Sequence, residues 1–290
     1  MPVAVLIVNF RVYDDLDRAL ASLATVLEAG DEIAVVDQAS DRAALARIGE
    51  RHPRARLYAN DANTGFAAGV NQAARLTSQA QLFLLNPDAI LENDAPRILA
   101  EYLARHPDVG VAGPRVLEAD GSIQASARRF PGPTTALAGR STWLTRRFPG
   151  NPLSQRNLPG REATDAVDVD WLAGSCFMTP RAVFERAGGF DEQFFMYWED
   201  ADYCARVARL GLRRTYVPAA RVRHVAGRSA ALDAPRAIRA FHASAYRMYR
   251  KHGGMMARVF GPAVHAGLWL RGEVRARRAA RVHAHSGTSS

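Results

Sequence analysis

A chain of 290 residues has room for one large domain or two small ones with a substantial core. Hydrophobic residues make up 48% and charged residues 23%, the balance of an ordinary folded, soluble protein, and two cysteines without a C-x-x-C spacing suggest neither a disulfide framework nor a zinc site. Lys and Arg outnumber Asp and Glu by 38 to 29, and the excess gathers near the C-terminus in "RGEVRARRAARVH" (271–283). That tail suits an anionic partner, a membrane surface or nucleic acid, or is simply solvated.

Residues 3–8, "VAVLIV", are a continuous aliphatic run and predict a strand covered on both faces. No positive region precedes them, and Asp14, Asp15 and Asp17 follow, so a signal peptide is not expected. "YDDLDRALASLATVLEAG" (13–30) has helical spacing and predicts a helix capped by Gly30. "EIAVVDQAS" (32–40) reads as a second buried strand, "RAALARIGERH" (42–52) as a helix and "ARLYAN" (55–60) as a third strand. The loop "DANTGFAAG" (61–69) leads to a helix "VNQAARLTS" (70–78), and "AQLFLLNPDA" (80–89) is a fourth strand ending on a polar turn. This alternation calls for an α/β fold with a mostly parallel central sheet.

In the second half, "VDWLAGSCFMTP" (169–180) predicts one strand and "RAVFERAG" (181–188) a helix. "DADYCARVARLG" (200–211) predicts a further helix ending at Gly211. "RRTYVPAARVRHVAG" (213–227) reads as a strand, a turn at Pro218 and a second strand ending on His224. The stretch 255–278 mixes Met, Val, Phe, Leu and Trp with Arg, which fits a helix lying at a membrane interface, kinked or broken at Pro262. No uncharged run of about 18 apolar residues exists, so a spanning helix is not expected.

Ligands of such sheets bind beyond the carboxyl ends of the strands. Polar residues gather there: Asn9, Asp37, Asn63 with Gly65, and Asn86 with Asp88. One such cluster is ordinary turn chemistry; four in register favour a site. No G-x-G-x-x-G follows the first strand and no P-loop occurs, so the dinucleotide and P-loop versions are excluded. Asp88 at a strand edge is placed to reach a hard divalent cation, and His224 beside it becomes a second ligand. In "FFMYWEDADYC" (194–204), Phe194, Phe195, Tyr197 and Trp198 precede three acids. Acids in a first helical turn favour the helix dipole, which accounts for Asp202. Asp200 at the edge of an apolar wall is partly desolvated, which suits a general base.

Together "VLIVNF", "VVDQAS", "NTGFAAGVNQA", "LLNPDA", "VDWLAGSCFMTPRAVFERAGGFDEQFFMYWEDADYCARV" and "YVPAARVRHVAG" resemble an inverting family 2 glycosyltransferase of the GT-A fold, in a branch resembling bacterial rhamnosyltransferases of cell-surface polysaccharides. The resemblance runs from about residue 3 to residue 228. It implies a glycosyltransferase domain over 1–230, with a nucleotide-binding half (1–115) and an acceptor-binding half (116–230), and a helical, basic tail over 231–290. It implies that Asn9, Asp37, Asn63, Gly65, Gly69, Asn71, Asn86 and Asp88 serve the nucleotide-sugar. It puts Trp171, Gly174, Trp198 and Glu199 on the acceptor side, with Asp200 as catalytic base. Asp88 and His224 would hold Mg²⁺ or Mn²⁺. Two positions depart from the family pattern: Asn86 replaces the first acid of D-x-D, and Gln38 replaces the usual Asn. The expected partners are a nucleoside-diphosphate sugar, preferably dTDP-rhamnose, and a glycan or lipid-linked acceptor. The expected location is cytoplasmic, peripheral to an anionic membrane.

Rival readings are a non-catalytic nucleotide-sugar binder weakened by Asn86, a nucleic-acid-binding protein and a nucleotidyltransferase. Asp88, Asp200 and His224 speak against the first. The basic tail lacks interleaved aromatics in a sheet, which speaks against the second. The third would want a basic glycine-rich loop after the first strand, and "NFRVYDD" (9–15) stands there instead.

Overall fold

A computed structural model describes residues 1–130, 147, 163–224 and 232–286. Most of the Pro-, Gly- and Arg-rich stretch 120–165, the end of the last motif (225–227) and the last four residues lie outside the described residues.

The first half follows the predicted alternation: β1 (Val3–Asn9), α1 (Tyr13–Ala24), β2 (Glu32–Asp37), α2 (Arg42–Arg51), β3 (Ala55–Ala59), α3 (Phe66–Arg75) and β4 (Gln81–Leu85). β5 (Ala89–Leu91), α4 (Ala95–Arg105), β6 (Val109–Leu117) and β7 (Ala127–Arg128) come next. Then follow β8 (Val167–Asp168), β9 (Trp171–Leu172), β10 (Cys176–Pro180), α5 (Arg181–Arg186), α6 (Glu199–Arg209) and β11 (Arg213–His224). Two helices, α7 (Ala234–His252) and α8 (Gly254–Ser286), end the described chain.

The main sheet has nine strands in the order β3-β2-β1-β4-β10-β6-β11-β5, with β8 also on β11. β1, β2, β3 and β4 are parallel neighbours, and β6 and β11 pair in parallel; β10, β5 and β8 run against the strands they pair with. The mostly parallel expectation therefore holds. Alternate residues of β1 feed two cores: Val3, Val5 and Ile7 pack with Leu16, Leu20 and Leu99, while Ala4, Leu6 and Val8 pack with Val70, Phe177 and Tyr203. A strand buried on both faces needs an unbroken aliphatic run, which is why β1 was legible.

Four expectations change. α1 stops at Ala24 with Thr25 as its C-cap, whose hydroxyl bonds the Ser22 carbonyl at 2.7 Å, and Gly30 lies beyond the helix against Pro2. The single strand over 169–180 is broken at Gly174–Ser175 into β9, which pairs with β7, and β10, which pairs with β4. No turn separates two strands at Pro218: β11 is one strand whose register slips between Val217 and Arg221, and a bulge tolerates a residue without an N–H. α8 runs through Pro262, held by its inner residues Ala257, Gly261 and Gly272 against α7. The helix α4 and the strands β5, β6, β7 and β8 have no counterpart in the sequence reading.

Asp202 does more than favour a helix dipole. It is fully buried and joins α6 to α7: Oδ1 lies 2.7 Å from both Lys251 Nζ and His252 Nε2, and Oδ2 accepts from Arg206 Nε at 2.8 Å. Burial alone would raise its pKa, but the bonds from His252 and Lys251 prevail and bring it down to about 2. Ser244 adds a bond to the Met196 carbonyl at 2.9 Å, so α7 is fastened to the domain beside the start of α6. The stability contributed by Asp202 is therefore complete above its unfolded pKa of about 3.9 and is lost as pH falls through the folded value. Asp202→Ala should lower unfolding free energy by about 3 kcal/mol at pH 7, because it removes the buried carboxylate that ties α6 to α7, and urea titration will read the loss. A loss under about 0.5 kcal/mol would show that the junction carries no weight.

Candidate functional site

The carboxyl ends of β1 and β4 open onto a cavity of about 480 Å³, closed on other sides by β9, the start of α6, the end of β11 and the start of α7. Asn63, Gly65, Asn86, Asp88, Trp171, Gly174, Trp198, Glu199, Asp200 and His224 all line it. Residues 161 positions apart in sequence, Asn63 and His224, thus reach one cleft.

Asp88 and His224 meet because β5 runs antiparallel to β11 with Ala89 opposite His224. Asp88 Oδ1 lies 3.0 Å from His224 Nε2, and Asn86 Nδ2 lies 3.2 Å from the same nitrogen. On the other side of the ring, Gln124 Oε1 is 3.2 Å from Nδ1, while Gln124 Nε2 donates to Glu118 Oε1 at 3.1 Å. A carboxylate only accepts, so Glu118 turns the Gln124 amide nitrogen toward itself and the amide oxygen toward the ring. Nδ1 then donates to Gln124, and Nε2 is the nitrogen presented to Asp88 and Asn86. Among the described residues no group of three or more His, Cys, Asp and Glu is arranged to hold a metal ion.

Asp200 owes its place to two left-handed residues in succession. Tyr197 and Trp198 both have φ of 69°, uncommon for bulky side chains and costing about 1–3 kcal/mol each. Ring contacts hold the corner: Trp198 stacks on Trp171 with centroids 6.2 Å apart, and Tyr197 meets Phe241 edge-on at 5.6 Å. Phe195 and Tyr197 line the cleft as expected, but Phe194 turns into the core and forms no part of the wall.

The chain leaves this corner with Glu199 and Asp200 in the cleft. Asp200 Oδ2 accepts from the Gly174 N–H at 2.8 Å and Oδ1 from the Ala201 N–H at 2.7 Å. Burial raises its pKa, against the pull of those N–H groups and the Arg128 charge. Glu199 is buried, and its pKa is held well above the carboxylate range by burial first and by the charge of Asp200 next. Its Oε2 and Trp198 Nε1 find no hydrogen-bond partner among the described residues.

The loop before α3 is tied down twice. Gly65 has φ of 99°, and a Cβ there would stand 2.5 Å from the Phe195 carbonyl oxygen, which already accepts from the Phe66 N–H at 2.8 Å. Gln38 fastens the other side: Oε1 accepts from the Thr64 N–H at 3.1 Å and Nε2 donates to the Gly65 carbonyl at 3.2 Å. The departure at Gln38 is thus a brace for this loop, and Asp37 keeps its place.

Four predicted residues stand behind the cleft instead of lining it. Asn9 and Asp37 are fully buried and bonded to each other at 2.7 Å, with Tyr13 donating to Asp37 at 2.8 Å. Gly69 packs under Val8 and Gln38. Asn71 uses both ends of its amide on the Phe190 backbone, at 2.8 Å each. Conversely, Gln124, Glu118, Arg128, Arg236 and Phe241 line the cleft without having been picked out. They carry no local motif; only folding brings them near His224 and Trp198.

The mixed sheet, with its cleft beyond β1 and β4 and helices on both faces, has the GT-A glycosyltransferase fold. The structure of GalNAc-T7 with UDP, GalNAc and Mn²⁺ matches it with a TM-score of 0.59 at 16% identity, over 78% of this chain and 44% of that one. The mannosyltransferase PcManGT from Pyrobaculum calidifontis, in complex with GDP-Man and Mn²⁺, matches with a TM-score of 0.58 at 18% identity, over 98% of this chain and 75% of that one. A family model described as glycosyltransferase like family 2 matches residues 1–254, and the chain belongs to that family. It is 31% identical over 253 residues to the N-acetylglucosaminyl-diphospho-decaprenol L-rhamnosyltransferase of Mycobacterium tuberculosis, covering 83% of this chain and 82% of the relative. It is also 27% identical over 210 residues to the low-salt glycan biosynthesis hexosyltransferase Agl10 of Haloferax volcanii, covering 71% of this chain and 61% of the relative.

Because burial raises the folded pKa of Glu199 above its unfolded value, its contribution to stability is complete below about pH 4.3 and declines as pH rises through the folded pKa. Glu199→Gln removes that decline. Urea melts from pH 4 to pH 8 should therefore show the variant gaining on the wild type as pH rises, whereas parallel profiles would mean that Glu199 ionises without cost.

Proposed function

We propose that this glycosyltransferase moves a sugar, preferably rhamnose from dTDP-rhamnose, with inversion onto a hydroxyl of a glycan or lipid-linked acceptor for cell-surface polysaccharide. The observation that carries the reading is one cleft holding both a carboxylate with a raised pKa, Asp200, and the Asp88–His224 pair. The rhamnose preference is supported by the mycobacterial relative, which is a rhamnosyltransferase acting on a decaprenol-linked substrate by its name.

In this reading Asn63, Gly65, Asn86 and Asp88 face the nucleotide-sugar directly, and Asn9, Asp37, Gly69 and Asn71 shape the same wall from behind. Trp171, Gly174, Trp198 and Glu199 form the acceptor side, where the stacked indoles offer an apolar platform to a sugar ring. Asp200 takes the proton of the acceptor hydroxyl as that oxygen attacks the anomeric carbon. Two backbone N–H groups aim its carboxylate, and burial lifts its basicity toward the operating pH. Phe195, Tyr197 and Trp198 exclude water, a competing acceptor.

The donor set fits a divalent ion. Asp88 Oδ1 and His224 Nε2, 3.0 Å apart, would be the protein donors, a hard oxygen beside an imidazole nitrogen that Gln124 leaves presented to the cleft. Two protein ligands leave room for diphosphate oxygens and water, the usual arrangement for Mg²⁺ and one open to Mn²⁺. Bound there, the ion would offset the charge that develops on the departing diphosphate. The enzyme would work on the cytoplasmic side, at the inner face of the membrane that presents a lipid-linked acceptor.

Calorimetric titration of dTDP, UDP and GDP with and without Mn²⁺ should show one nucleotide binding in a metal-dependent way, and Asp88→Ala should abolish that dependence. Absence of binding by every nucleotide would reduce the reading to fold alone. Asp200→Asn should retain nucleotide binding while kcat falls about 10²–10⁴-fold. An unchanged kcat would remove Asp200 from the role of base.

A further inference from the structure

Nearly all the large apolar side chains that the described residues expose sit in one region. Apart from Met1 they belong to residues 232–274: Leu232 and Phe241, then seven on α8. One side of α8 is accounted for. Ala257, Gly261 and Gly272 are buried against α7, where Gly261 lies under Arg250 and Gly272 under the His242 ring, and Ala276 is buried further along the same helix. Tyr246 meets His265 at a tilt with centroids 4.5 Å apart, and Glu273 binds Arg239 at 2.7 Å.

The opposite side is apolar as well. Met255, Val259, Ala263, Ala266, Leu270 and Val274 recur at spacings of three and four, one stripe of about five turns. Their exposure is large: 79% for Met255, 64% for Val259 and 59% for Leu270, with Trp269 beside them at 60%. A helix apolar on two opposite sides has one side too many for packing on α7 alone.

The charges on α8 indicate what covers the second side. Arg258 and Arg271 flank the stripe, and Arg275, Arg277 and Arg278 follow it directly. The single acid between 254 and 286 is Glu273, already bound to Arg239. A second copy packed on this face would bring like charges together. An anionic bilayer surface offers hydrocarbon to the stripe and headgroups to the arginines. Among the described residues no helix is long and apolar enough to cross a membrane, so the contact lies in the interfacial plane.

We infer that the outward face of α8 docks the protein on an anionic lipid bilayer and so sets the acceptor side of the cleft next to the membrane. The second half of that statement rests on the transferase reading above; the docking does not. α7 is the link. Arg236, Ala237 and Phe241 on it line the cleft, while His242, Tyr246 and Arg250 on its other side carry α8. A lipid-linked acceptor held in the bilayer would then meet the Trp198 wall one helix layer from its anchor.

Flotation of the full chain with vesicles of phosphatidylglycerol and phosphatidylcholine tests this without donor or acceptor. Binding should be strong, weakened by salt and slight on phosphatidylcholine alone. Reversing three charges together (Arg275→Glu, Arg277→Glu, Arg278→Glu) should weaken it on the order of 100-fold. Val259→Ser with Leu270→Ser should abolish binding while nucleotide titration stays that of the wild type, since both side chains are exposed. Equal flotation of variants and wild type, or no flotation of the wild type, would overturn the docking and leave the transferase reading untouched. So would sedimentation showing a dimer that the serine pair dissociates. If docking holds while no nucleotide binds to the docked protein and no sugar passes to a lipid-linked acceptor in the same vesicles, the transferase reading falls instead.

Discussion

The corner at Tyr197 and Trp198 is the constraint on which the site depends. Two bulky residues in the left-handed region are unfavourable by themselves, and they persist only because Trp171, Phe241 and the Phe195–Phe66 backbone bond leave no other path for the chain. That corner starts α6 without a side-chain cap and turns Glu199 and Asp200 into the cleft. The contacts holding it come from β9, α3 and α7, so three separate parts of the chain must be in place before the carboxylate is.

Within one helical turn the protein then keeps three acids in three electrostatic states. Glu199 is enclosed with an oxygen unpartnered, and burial keeps it protonated far above the usual range. Asp200 is raised less, because Gly174 and Ala201 donate N–H groups to its charged form. Asp202, whose side chain is closed off from solvent, is nonetheless brought down to about 2 because His252, Lys251 and Arg206 surround it. Burial acts in the same direction on all three, so partners decide the outcome. The contrast also explains why α7 cannot be a detached tail: it supplies two of the groups that bond the third acid, Lys251 and His252, and part of the cleft wall.

Strand order supplies the other half of the site. β10 runs against β4 and β6 and inserts between them, and β5 doubles back on β11. The first arrangement sets the Gly174 turn over the end of β4, where the Ser175 carbonyl accepts from the Asn86 N–H at 2.9 Å. The second puts Ala89 opposite His224 and so Asp88 beside its ring.

The amino-acid sequence by itself determined the elements whose signal is local. Unbroken aliphatic runs marked β1, β2 and β4 because such strands are covered on both faces, and helical spacing marked α2 and α6. It also carried the ordered motifs from which the family and most of the cleft residues were legible. Boundaries depended on neighbours: the Gly174 turn split a strand, and a bulge carried β11 past Pro218. Only the tertiary structure showed that Phe194 faces the core, that Asn71 braces the Phe190 turn, and that Gln124 orients His224 across 100 residues. The reason is physical. Periodicity records which side of an element is apolar, but a hydrogen bond between distant side chains exists only once the sheet has set their strands in register.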